Sequence, residues 1–194
     1  ATTAIFFFFC NTQTGLRGVS FGDSLIKHVV ETLKAEFPQL KTFATLSPIP
    51  GFRAWLAKNA SVVLASLDDK HRQELGRAVG FDPPAAEHFL AAADRALGLD
   101  AKSPIRHMLL RCAAHYLSRG LHDGAPIDPV ARFHLGNGAR IERLNWEGDV
   151  STKGIKQSYG VMVNYLYDLK RLDKCRHMLA EGKIPISSDV EKLI

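Results

Sequence analysis

What most constrains the fold is an apolar run, a helix-spaced stretch and a second apolar run within the first 50 residues. Ile5 to Cys10 (IFFFFC) is apolar at every position, the pattern of an interior strand covered on both faces. A polar, glycine-containing turn follows from Asn11 to Gly18. From about Phe21 to Phe37 the apolar residues Phe21, Leu25, Val29, Val30, Leu33 and Phe37 recur at helical spacing. A second strand is expected over Lys41 to Leu46. Strand, helix and strand in this order make a parallel βαβ unit, so the chain reads as α/β. The second strand runs into Ser47-Pro48-Ile49-Pro50. A residue before proline is driven to extended backbone, and neither proline has an N–H for a neighbouring strand. The strand is therefore expected to end here, with the hydroxyl of Ser47 at its tip.

The middle of the chain changes character. From Phe52 to about Gly120 the pattern is helical, in pieces broken at Gly80, Pro83-Pro84 and Ser103-Pro104. In the clearest piece, Pro104 to Ser118, residues Ile105, Met108, Leu109, Cys112, Ala113 and Tyr116 form one stripe. This block, at about residues 53–125, reads as a helical insertion in one domain spanning 1–194, because no linker-like composition marks a boundary. Sheet-like sequence returns with Asp128 to Phe133, a turn at Asn137-Gly138 and an alternating strand from Arg140 to Asn145. Thr152 to Leu169 is expected to be a helix carrying Ile155, Tyr159, Met162, Leu166 and Leu169 on its apolar face. The tail reads as a helix and a finishing turn.

Composition excludes several classes. The 194 residues are 46% hydrophobic and 23% charged, ordinary values for a globular chain. A net charge of +5 suits an anionic ligand, but the basic residues are scattered rather than gathered into a nucleic-acid footprint. No apolar run approaches the ~20 residues that span a bilayer. The three cysteines, Cys10, Cys112 and Cys175, are far apart and form no C-x-x-C pair, which fits reduced thiols and no zinc site. No signal or transit peptide is visible, and the terminal EKLI is not a peroxisomal address, so a bacterial-like cytoplasmic location is expected.

Three features could carry chemistry. Arg17-Gly18-Val19-Ser20-Phe21-Gly22 follows a strand and opens a helix. Free N–H groups and the positive end of a helix dipole at such a start can hold phosphate; the same glycines also suit a plain strand-to-helix turn. The pattern is neither G-x-G-x-x-G nor a Walker loop. Ser47 follows the next parallel strand, and ligands in open α/β sheets sit beyond the carboxyl ends of strands. Turn and serine would therefore face one crevice, unless Ser47 merely ends its strand. His134 precedes a turn beside glycines, and a histidine of ordinary pKa can exchange a proton near neutrality; a packed core histidine is the alternative. Asn145, Ser158, Tyr165 and Tyr167 follow in rank. Asn145 ends a strand and could face the crevice, whereas a helical setting for the tyrosines favours packing.

These segments together resemble malonyl-CoA decarboxylases. The likeness lies in GLRGVSFGDSLIK (15–27), LSPIPGF (46–52), PVARFHLGNGARIERLNW (129–146) and QSYGVMVNYLYDL (157–169), in that order. The resemblance implies a catalytic domain similar to the GNAT acyltransferases, with a mixed sheet flanked by helices. It implies coenzyme A bound through Arg17, Gly18, Val19, Ser20 and Gly22, with Asn145 and Tyr165 as further contacts to the substrate. The family's serine and histidine would fall on Ser47 and His134. Family members carry a helical domain and the first strands of the catalytic domain ahead of where this sequence begins. Where the first strand reads FFFFC, the family pattern resembles FYSIS, so any serine-mediated contact there is altered. Some members have glutamate where Ser20 stands, so Ser20 receives no acid–base role.

The implied reaction takes malonyl-CoA to acetyl-CoA and CO2 through an enolate. The substrate's thioester is its own electron sink, so no metal or organic cofactor is needed. Ser47 would donate to the malonyl group and His134 would orient the carboxylate or protonate the α-carbon, the two roles being exchangeable. A pH limb near the unperturbed histidine value of about 6.5 is expected. A homo-oligomer is implied as well. The rivals are a coenzyme A-dependent acyltransferase, which would need the phosphate turn but not Ser47 with His134, and a non-catalytic coenzyme A-binding fragment. A serine hydrolase is a third rival and would release free coenzyme A rather than acetyl-CoA.

Overall fold

The computed structural model describes residues 2–7 and 21–194. Strand β1 (Thr3–Phe7) is followed by helix α1 (Phe21–Glu36) and strand β2 (Thr42–Pro48). β1 and β2 pair in parallel, with Thr3 opposite Thr42 and Phe7 opposite Leu46, which is the expected βαβ unit. Four helices come next: α2 (Phe52–Ala65), α3 (Asp69–Val79), α4 (Ala86–Ala93) and α5 (Pro104–Arg119). A short hairpin of β3 (Leu121–His122) and β4 (Ala125–Pro126) leads into α6 (Pro129–Gly136) and β5 (Arg140–Asn145). The chain ends with α7 (Thr152–Ser158), β6 (Met162–Leu166), α8 (Leu172–Ala180) and α9 (Ser188–Glu191). The main sheet has the order β1-β2-β6-β5, parallel between β1 and β2 and antiparallel elsewhere. It is a mixed sheet flanked by helices, as expected. None of the helices among the described residues is long and apolar enough to cross a membrane.

One face of this sheet is core. Alternation in β2 turns Phe43, Thr45 and Ser47 to the buried side. On β6 the partners Val163 and Tyr165, with Tyr167 just beyond, lie on that same side. α2 and α5 meet through Phe52 and Tyr116, with ring centroids 6.0 Å apart, and Phe52 also meets Tyr159 edge-on at 6.1 Å. α1 adds the buried Ile26 and Val30.

Four expectations are corrected. The apolar run predicts an interior strand over Ile5 to Cys10. Residues 8–10 lie outside those described, and among the described strands β1 ends the order, with Ile5 42% exposed. Among the described side chains of β1, Ala4 and Phe6 turn to the core, Phe6 stacking on Phe43 at 6.4 Å; an apolar residue does not by itself report a covering layer.

β2 ends one residue beyond the expected tip at Ser47. It continues to Pro48, with Ser47 opposite Val163 and Pro48 opposite Met162. Tyr167 N–H bonds the Phe43 carbonyl at 2.8 Å, so by antiparallel alternation odd-numbered β2 residues face β6 with their backbone groups. The nitrogen of Pro48 therefore points away from β6, where the missing N–H leaves this ladder intact.

Asp128 to Phe133 is helix, not strand. Asp128 Oδ1 accepts the N–H groups of Val130 and Ala131, each at 3.0 Å, and Pro129 takes the first helical position. Ala131, His134 and Leu135 then form the buried stripe of α6. The helix closes at Gly138, whose φ is +85° and where a Cβ would meet the Leu172 carbonyl oxygen at 2.8 Å, so only glycine fits.

The single helix expected from Thr152 to Leu169 divides in two. Tyr159 (φ +55°) and Gly160 (φ +81°) turn left-handed and end α7. From Val161 to Tyr167 every second residue is buried, the period of a strand.

Candidate active site

The buried face of β2 and β6 meets the last turn of α6 at a polar cluster. Ser47 Oγ and His134 Nε2 are 3.2 Å apart across 87 residues of chain. Ser47 is 5% exposed and His134 3%. The other ring nitrogen of His134, Nδ1, lies 2.7 Å from the Tyr167 hydroxyl. Tyr165 stacks on the imidazole, with centroids 4.5 Å apart and planes 24° apart. Phe133 and Tyr167 meet the ring edge-on. Ser47 Oγ also bonds Thr45 Oγ1 at 2.9 Å.

Burial decides the charge state. Withdrawal from water pushes the His134 pKa down to about 3, so the free protein holds a neutral imidazole at physiological pH. This runs against the expected titration near 6.5, because a cationic ring would have to form in a nearly dry space. A neutral imidazole can still donate from one nitrogen, and in a low dielectric that hydrogen bond is strong.

Of the residues named from sequence, the structure brings Ser47, His134, Tyr165 and Tyr167 together. Tyr165 reaches the imidazole through its ring face, and burial raises its phenol pKa well above the usual value, so it stays neutral. Asn145 does not join them. It lies with Met162 and Asn164 on the other side of the strands, and its Nδ2 donates to Asn164 Oδ1 at 2.8 Å. Ser158 closes α7 instead, donating to the Val161 carbonyl at 2.7 Å. Arg17, Gly18, Val19 and Ser20 lie outside the described residues, and Gly22 falls in the first turn of α1.

Sequence reasoning missed Thr45 and undervalued Tyr167. Both follow from strand alternation: Thr45 is two residues before Ser47, and Tyr167 is two residues after Tyr165. α6 itself was announced by Asp128-Pro129, a capping residue followed by a proline suited to the first turn. Asp128 is buried, and its Oδ2 accepts the Tyr116 hydroxyl at 3.3 Å. Burial raises its carboxyl pKa against the lowering effect of the hydrogen bonds it receives. A cleft of about 410 Å3 between α3, α5 and the last residues, lined by His71, Lys102, His107 and Arg111, shares no residue with this cluster. The geometry of donors, not cleft size, marks the site.

Comparison with known proteins adds the family. Residues 1–194 match the model of the malonyl-CoA decarboxylase C-terminal domain. The chain is 40% identical over 175 residues to mitochondrial malonyl-CoA decarboxylase of Mus musculus and 38% identical over 176 residues to that of Anser anser anser. These alignments cover 86% and 87% of this chain and 35% of each relative, so the chain spans about a third of their length. The crystal structure of malonyl-CoA decarboxylase from Cupriavidus metallidurans matches all of this chain with a TM-score of 0.88 and 46% identity, over 48% of that chain. The enzyme from Rhodopseudomonas palustris matches with a TM-score of 0.76 and 44% identity, over 42% of its chain.

Proposed function

The chain belongs to the malonyl-CoA decarboxylase C-terminal domain family, and from that premise we propose that it carries the decarboxylating site for malonyl-CoA. The observation that carries this reading is the buried contact of Ser47 Oγ with His134 Nε2, next to a neutral, tyrosine-stacked imidazole.

In the proposed reaction the bond between the α-carbon and the carboxylate breaks, and CO2 leaves. Its electron pair enters the thioester carbonyl and forms an enolate. A proton, drawn in the end from solvent and passed on at the site, then joins the α-carbon to give acetyl-CoA. The protein must stabilise the oxyanion with fixed donors and deliver that proton. Ser47 donates its hydroxyl to the malonyl group. His134, held neutral, donates from Nε2, as a neutral imidazole does at other enolate-forming sites. The departing electron pair needs no sink beyond the thioester, so no metal or organic cofactor takes part. Arg17 to Gly22 bind the coenzyme A pyrophosphate in a GNAT-like manner, and the enzyme works as a cytoplasmic homo-oligomer.

The test is to incubate the chain with malonyl-CoA and separate the thioester products. Acetyl-CoA formation that is lost in Ser47→Ala supports the reading. Free coenzyme A, or an acyl group moved to an amine, would replace it with hydrolysis or acyl transfer.

A further inference from the structure

Between the Ala44–Leu166 and Ser47–Val163 pairs, the β2–β6 ladder is carried by side chains. Asn164 Nδ2 donates to the Thr45 carbonyl at 2.7 Å, and Tyr165 N–H is directed at Thr45 Oγ1 at 3.4 Å. Thr45 is 1% exposed, and its β-branched side chain has little rotational freedom. Its Oγ1 therefore holds one place, where it accepts from the Tyr165 N–H and from Ser47 Oγ, the latter at 2.9 Å.

This matters because Ser47 has one proton. Among the described residues its Oγ has two partners, Thr45 Oγ1 and His134 Nε2. When the proton points to Thr45, Ser47 accepts from His134, and the imidazole carries its hydrogen on Nε2. Nδ1 is then the acceptor of the Tyr167 hydroxyl. When the proton points to Nε2, that nitrogen is bare, the hydrogen sits on Nδ1, and the ring has nothing to donate on the Ser47 side. A neutral imidazole allows one arrangement or the other.

We propose that in the substrate-free protein Thr45 is a positioning residue that draws the Ser47 proton away from the imidazole and so fixes His134 as the Nε2–H tautomer; Ser47 then turns its own proton to the malonyl group when substrate binds. The side chain touches no reacting atom. It acts through Ser47, and keeps the one donor hydrogen of His134 on the side where Ser47 stands. The consequence for turnover rests on the decarboxylase reading, whereas the tautomer itself does not.

The experiment compares the parent chain with Thr45→Val, which keeps the shape and loses the acceptor, and Thr45→Ser, which restores a hydroxyl. Nitrogen-15 NMR of the histidine side chains reads the tautomer, with the His134 signals assigned by their loss in His134→Gln. The parent and Thr45→Ser are expected to show Nε2 protonated, and Thr45→Val to show Nδ1 protonated. With malonyl-CoA, Thr45→Val should lose at least about tenfold in kcat at little change in KM, and Thr45→Ser should recover most of it. A Thr45→Val protein that keeps the parent tautomer overturns the proposal, as does a parent already protonated on Nδ1. Should Thr45→Val fail to fold, Thr45→Ala removes the same acceptor and is read in the same way. A parent that leaves malonyl-CoA intact overturns the reaction, while the nitrogen spectra still decide the role of Thr45.

Discussion

The ring of Tyr165 lies over the imidazole of His134, 4.5 Å between centroids, yet its hydroxyl is buried with no hydrogen-bond partner among the described residues. Ring and hydroxyl therefore have opposite values. The ring covers one face of His134 and limits its tilt, while the hydroxyl carries a desolvation cost with nothing to offset it. Tyr165→Phe is expected to keep the stack and raise stability by about 1 kcal/mol, read as a higher Tm with kcat unchanged. Tyr165→Leu should lower kcat, because the imidazole loses its planar support. A sharp fall in kcat for Tyr165→Phe would assign the hydroxyl a direct part in the chemistry.

Ser47 offers a cleaner functional test than its burial suggests. Its side chain is small, so Ser47→Ala removes an oxygen without opening a large cavity. The expected loss is roughly 10²-fold in kcat with thermal unfolding near that of the parent, the lower end for one missing donor. An unchanged kcat with malonyl-CoA would remove Ser47 from the mechanism.

The same two residues show how far the sequence could be read. Ser47 and His134 are legible because LSPIPGF and FHLGNGA are distinctive, and the βαβ unit because its periods are clear. The setting of His134 was not legible. Its helix begins at a proline, which also suits the start of a strand, so the cap of Asp128 went unread. The strand that supplies Tyr165 and Tyr167 was hidden because Ile155, Tyr159, Met162 and Leu166 happen to fall at helical spacing. Only Gly160, tolerated in a helix but here left-handed, separates the two readings. Once α7 and β6 are divided, the tyrosines pass from a packing face to the ring contacts of His134. Thr45 was overlooked for a related reason: its hydroxyl matters only through the direction it gives to a neighbour's proton, which no residue pattern encodes.

Asp128 ties stability to the site. It caps α6 with Oδ1, accepts from Tyr116 with Oδ2, and so fixes the helix that ends in His134. Asp128→Ala should cost about 1–2 kcal/mol by chemical denaturation and also reduce kcat, since α6 can then shift. Asp128→Asn keeps a capping oxygen and should retain most of both. Equal losses in the two variants would mean that the charge, rather than the cap, is what α6 requires.

The buried His134 makes a pH prediction whose sign can be worked out. Its folded pKa is about 3, below the value of about 6.5 for an unfolded histidine. Between those values the unfolded chain takes up a proton that the folded chain refuses, so stability rises with pH across that window. The group's contribution is complete above about pH 6.5 and is lost on acidification towards pH 3, at a slope of up to about 1.4 kcal/mol per unit. Asp128, with its raised carboxyl pKa, works in the opposite direction at the acid end, so the measurement must be a difference. Urea unfolding of the parent and of His134→Gln at pH 7, 6, 5 and 4 isolates the histidine. The gap between them should shrink or invert as pH falls. In turnover, kcat/KM reports the free protein and should show no limb near 6.5 belonging to His134. A limb there, matched by an NMR titration of the His134 ring, would mean that water reaches the imidazole and that it works as an ordinary acid.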